Sequence, residues 1–219
     1  MTRSKPPKPA PTTGDPLLDA ALAALADDPD VEGELYERLR DAPEDGDALF
    51  DLGNALDERG RGDDAEKIWR RLVELDPDYS EAWFNLGVAA KNRADWHTAL
   101  DLFTRAHTTD PDDPSALHCR GHVHQELGDE ARGRDDLLRA VDLYAAILDD
   151  DPESDEVLFW RAAARARLGE RDAALADLAA AVELAPDRRA EARDEVDFQP
   201  LAADPEFIRL TQKPGRRKP

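Results

Sequence analysis

The densest group of chemically competent side chains in this sequence is His118, Cys119, His122 and His124. Imidazole and thiolate are ligands for zinc and similar metals, and histidines four apart on a helix share a face. His118 and His122 could therefore hold one ion. Cys119 falls about 100° around such a helix from His118, and His124 falls on the packing side. With no complementary second cluster elsewhere, the spacing favours a polar patch over a metal centre, and no cofactor is expected. Acidic pairs are frequent because the chain carries 50 Asp and Glu, so no catalytic carboxylate dyad stands out from that background. A glycine-rich phosphate loop, a nucleophile elbow and a zinc-hydrolase helix are all missing from the sequence. The residues point away from an enzyme.

Charge narrows the partners. The formal net charge is -21. Residues 1–14 carry Arg3, Lys5 and Lys8 without an acid, and residues 213–219 carry Lys213, Arg216, Arg217 and Lys218 without an acid. Subtracting those seven positive charges leaves -28 for residues 15–212. Such a body repels phosphates of nucleic acid and anionic lipid and attracts basic partners. A general adaptation to high salt would give the same bias. Cys119 is the one cysteine, so no intramolecular disulfide can form. The basic N-terminus lacks the apolar run of a secretory signal, and no stretch approaches the ~20 apolar residues of a membrane span. The expected location is the cytoplasm.

The elements that must position these residues show as a repeat. Pro77, Pro111, Pro152 and Pro186 end related segments at intervals of 34, 41 and 34. Residues 46–79 place Leu49, Leu52, Gly53, Leu56, Ala65, Trp69 and Pro77 in one register. Residues 80–113 place Trp83, Leu86, Gly87, Ala90, Ala99, Phe103, Ala106 and Pro111 in the same one. Residues 114–154 continue with Leu117, Gly121, Leu127, Gly128, Leu137 and Ala140, and residues 155–188 with Leu158, Ala162, Leu168, Ala174, Leu178, Ala181 and Pro186. Small residues let two helices approach, large apolar ones fill the space between pairs, and proline separates one pair from the next. One such pair cannot bury its apolar face alone, so pairs stack.

This pattern resembles the tetratricopeptide repeat (TPR) family over about two-thirds of the chain. The resemblance implies an all-α fold, a right-handed superhelical solenoid of antiparallel helix pairs. The third repeat departs from the family at Arg120, His124 and Gly133 and is expected to be the least stable. Its seven extra residues keep helical spacing at Leu137, Val141, Tyr144 and Leu148, which predicts a second helix lengthened by about two turns, ~10 Å, and projecting from the stack; a looped-out insertion is the alternative. Residues 1–14 read as a disordered Pro-rich tail, and 15–45 as a degenerate capping pair with Leu18, Leu22 and Leu25 on one stripe and Leu35 and Leu39 on another. Residues 189–212 resemble a closing segment seen after bacterial arrays, through Phe198, Leu201, Asp204, Pro205, Phe207 and Leu210. A short helix, a turn at Pro200 and a short helix from Pro205 are expected there, and then a loose basic tail at 213–219.

In the family, the first helix of each pair lines a concave groove. Carried over by register, the groove positions are Phe50, Asn54 and Asp57; Glu81, Phe84, Val88 and Lys91; His118, His122 and Gln125; and Phe159, with Asn85 beside them. Phe50, Phe84, His118 and Phe159 then form a ladder of flat side chains suited to anchoring a peptide or helix; the alternative is that some of them pack inside the solenoid or against a terminal segment. Asn54 and Asn85 also match the asparagines of the family's carboxylate clamp, but Phe50, Ser115 and Cys119 replace its cations, which excludes that mode. The expected partner is a protein or peptide with apolar anchors and basic flanks. The expected function is an interaction scaffold, monomeric, with a self-assembling homo-oligomer as the alternative and tail-mediated nucleic-acid association as the weakest reading.

Overall fold

A computed structural model describes residues 13–25 and 29–212; of the tail expected at 1–14 only residues 13 and 14 are described, with Thr13 donating to Asp19, and the tail expected at 213–219 lies outside the described residues. Every regular element among the described residues is a helix, as the abundance of Ala, Leu, Arg and Glu favours. The chain forms two compact units, Met1–Ala89 and Ala90–Pro219.

The first unit contains α1 (Pro16–Ala23), α2 (Pro29–Asp41), α3 (Gly46–Glu58), α4 (Gly62–Leu75) and most of α5 (Ser80–Asn92). Leu18, Leu22, Leu25, Leu35 and Leu39 of the capping segment that precedes the repeats are buried. An ion pair from Arg71 to Asp15 ties the entry of α1 to α4. Between α3 and α4, Gly53 faces Trp69 so closely that a Cβ there would come within 2.2 Å of the indole nitrogen. The glycine is therefore what lets the Trp69 ring fill the gap between these helices.

The second unit contains the end of α5, α6 (Trp96–Thr109), α7 (Pro114–Glu126), α8 (Glu130–Asp150), α9 (Asp155–Leu168), α10 (Arg171–Leu184), α11 (Arg188–Asp194), a 3-10 helix (Val196–Leu201) and α12 (Pro205–Thr211). Helix starts use the acidic residues directly. Asp45, Asp95, Asp113, Asp129 and Asp204 each accept a backbone N–H from the first turn of the adjoining helix, which satisfies an otherwise orphaned donor and opposes the helix dipole. Part of the acid excess thus has a local structural use.

Helix α8 has 21 residues against 14 in α10, so the seven extra residues are helical rather than looped out. The added turns do not project free. Tyr144 and Leu148 are buried, Tyr144 with Leu117 and Ala140 and Leu148 in the cluster built on α9 and α10. Continued apolar spacing gave the longer helix a face to bury.

The third pair is compensated where it departs from the family. Arg120 donates two hydrogen bonds of 2.7 Å to the carboxylate of Asp136. Arg161 and Asp177 make the same bidentate contact one pair later, at 2.8 and 2.7 Å. Each Arg–Asp pair is 16 residues apart, and the two are 41 apart in register. The corresponding positions in the first two pairs are apolar: Leu52 with Ile68, and Leu86 with Leu102. Gly133 likewise has a reason. A Cβ there would lie 2.8 Å from the Gly121 carbonyl oxygen, so α7 and α8 approach more closely than an alanine allows.

Helices α3, α5, α7 and α9 are each followed by a left-handed residue: Gly60, Ala94, Gly128 and Gly169, with φ of 70°, 56°, 80° and 78°. Three are glycine, for which this conformation is free of Cβ strain; Ala94 bears the usual steric cost of about 1 kcal/mol. Ala94→Gly is therefore expected to raise stability by up to about 1 kcal/mol, read as a higher denaturation midpoint at unchanged slope. A lower midpoint would show that the turn is not strained.

Candidate functional site

On α3 and α5 the expected groove residues are accessible. Phe50, Asn54, Phe84, Asn85 and Val88 are partly exposed, and Asp57 and Glu81 are exposed. Phe50 packs at 5.3 Å between ring centroids against Tyr79, whose hydroxyl donates to Asp47 at 3.1 Å. Burial and the Asp47 carboxylate hold the Tyr79 hydroxyl well above its ordinary pKa. Asn85 donates to the side-chain oxygen of Asn54 at 2.9 Å. The two amides thus engage each other at the positions that the carboxylate clamp would use.

The second unit arranges its ladder positions differently. His118, His122 and Phe159 are buried, so they do not form an open ladder. The C-terminal 3-10 helix packs against α9 and brings Asp197 and Phe198 onto them. Phe198 meets Phe159 at 5.4 Å and Phe207 at 5.5 Å between ring centroids, and Arg188 lies over the Phe159 ring at 5.2 Å. The physical reason is apolar closure: Phe159, Phe198, Leu201 and Phe207 share one buried cluster with Leu175 and Leu178.

Asp197 is the residue that sequence reasoning missed. Its carboxylate lies 2.9 Å from His118 Nε2 and 2.9 Å from His122 Nδ1. Arg167 donates to it at 2.9 Å. Burial opposes the charge, but the His118 and His122 side chains outweigh it and keep Asp197 well below the usual carboxylate range. Arg167 also donates to Gln125 at 2.8 Å, which assigns that groove position a structural contact. Among the described residues no group of three or more His, Cys, Asp and Glu is arranged to hold a metal.

Cys119 and Lys91 lie close enough to this cluster to feel its charge. Burial raises the Cys119 thiol to about 11, with the Lys91 charge acting the other way. Burial lowers the Lys91 ammonium, yet Cys119, Asp197 and Glu195 together hold it above its ordinary value. Lys91, Trp96, His122 and Val196 border a cavity of about 360 Å³ at the edge of the 3-10 helix. No helix among the described residues is long and apolar enough to cross a membrane.

Comparison with known proteins agrees with this architecture. A model of the tetratricopeptide repeat family matches residues 50–114 and 126–189. A TPR repeat-containing protein of Dictyostelium discoideum is 29% identical over 94 residues, which are 40% of this chain and 36% of that protein. The match thus spans about a third of that relative's length. Among solved structures, a thermophilic TPR protein of Thermus thermophilus is similar at 24% identity and a TM-score of 0.56, over 82% of this chain and 96% of that one. The MamA RS-1 ArsTM double mutant is similar at 19% identity and a TM-score of 0.50, over 78% and 94% of the two chains. At these identities the likeness to solved structures is one of fold.

Proposed function

Because the chain belongs to the tetratricopeptide repeat family, we propose that it is a protein-interaction scaffold holding a segment of a partner on the face shared by α3 and α5. The observation that carries this reading is the exposure of Phe50, Phe84 and Val88 beside Asp57 and Glu81, where the equivalent side chains of the second unit are buried. Aromatic side chains left partly exposed on neighbouring helices are efficient anchors. The acids around them favour a partner with apolar anchors and basic flanks, and salt should weaken its attachment. Catalysis has no part in this reading.

The test is capture of partners on the immobilised full chain, identification by mass spectrometry, and titration of the purified partner. Phe50→Ala with Phe84→Ala should weaken binding by about 30-fold or more, the loss of one anchor worth ~2 kcal/mol, with the circular dichroism unchanged. Equal affinity of the variant would overturn the reading.

A further inference from the structure

In the second unit a C-terminal segment of the chain itself covers His118, His122 and Phe159. An array needs its last pair covered, and apolar side chains do that without desolvating a charge. Here Phe198, Leu201 and Phe207 provide such cover. Asp197 adds something that cover does not require: a carboxylate, 4% exposed, brought onto three basic side chains of α7 and α9.

Those three side chains are oriented by partners outside the 3-10 helix. Arg167 is fixed to Gln125. The other imidazole nitrogen of His118 lies 3.4 Å from the Tyr144 hydroxyl. The His122 ring stacks on Trp96, 6.3 Å between centroids at 28°. Each of the three thus has a second partner that restrains it besides Asp197, the arrangement a preorganised seat for an acidic group requires. Beside it Phe159 provides the apolar contact for an aromatic ring directly following the acid. The seat is also incompletely filled at one end, where the cavity bordered by Lys91, Trp96, His122 and Val196 opens and Val196 is 44% exposed.

We infer that the α7–α9 face of the second unit is a recognition site for a partner segment of the pattern Asp-Phe-x-x-Leu, and that Asp197, Phe198 and Leu201 occupy it as a built-in competitor. This site is separate from the α3–α5 face and stands or falls independently of it. Its ligand is acidic, whereas the first unit selects basic flanks. A tethered segment competes at an effective concentration in the millimolar range, so the free site shows only when the tethered acid is weakened.

The probe is a fluorescein-labelled synthetic peptide with the sequence of residues 194–202, and its counterpart with Asn in place of the Asp equivalent to Asp197. Titrated with the full chain, the acidic peptide should bind Asp197→Asn at least tenfold more tightly than wild type. The Asn peptide should bind neither. Adding Arg167→Gln to the Asp197→Asn chain should remove the gain, because the seat itself is then damaged. Hydrogen exchange of wild type guards against a misfolded variant: excess acidic peptide, and not the Asn peptide, should speed exchange of residues 196–201. Equal binding of the two peptides, or no gain in Asp197→Asn together with unchanged exchange in wild type, would show that the segment is a permanent cap and would overturn the proposal.

Discussion

Phe198→Ala should cost about 3–5 kcal/mol of stability, the range for removing a fully buried aromatic ring from a core. Phe198 is 1% exposed and touches both Phe159 and Phe207, so its loss opens a cavity between the closing segment and α9. In a chain of this length each kcal/mol lowers the melting temperature by about 2–4 °C. Phe198→Leu should lose less than half as much, because most of the volume is kept. Thermal melts of the two variants followed by circular dichroism make the comparison. A loss below about 1 kcal/mol for the alanine variant, under the range for a buried ring, would mean that the 3-10 helix does not seal the end of the array.

The second large effect concerns the third pair. Asp136→Ala should destabilise by about 3–5 kcal/mol, because it leaves the Arg120 guanidinium desolvated without its acceptor. Only 14% of the Arg120 side chain is exposed, and 6% of Asp136. Replacing both partners should behave differently. Arg120→Leu with Asp136→Leu restores the apolar pairing found at Leu86 and Leu102, and should return stability to within about 1 kcal/mol of wild type or above it. Urea denaturation of Arg120→Leu, Asp136→Leu and the double variant forms a cycle that measures the coupling. Purely additive losses would show that the two side chains do not act as a pair.

These two sites also mark what the sequence made legible. The helix pairs could be read because the 34-residue spacing, the small residues at Gly53 and Gly121, and the apolar positions around them agree at several levels. Arg120 looks like a defect when judged alone against the family pattern. Its acceptor lies 16 residues on, in the next helix, and only the second occurrence at Arg161 and Asp177 makes the pairing visible. Asp197 is harder still. It is one of 50 acidic residues, and its contacts at His118 and His122 lie more than 70 positions upstream, where no local periodicity connects them. Phe159 is misplaced for the same reason: register alone sets it beside Phe50 and Phe84, but a distant segment decides whether that position is open. Lone side chains and local spacing therefore reported the scaffold well and its long-range closure poorly.

The size of the insertion in α8 has a consequence for how arrays of this kind tolerate growth. Seven residues advance an α-helix by nearly two whole revolutions, leaving an angular error of only ~20°. Leu137 and Tyr144 therefore keep one azimuth, and both are buried. An insertion of five residues would instead turn everything after it by about 140° and swing Tyr144 and Leu148 toward water. Length can be added to this helix almost without rotating its later turns, provided that the addition comes close to a whole number of revolutions, as seven residues do.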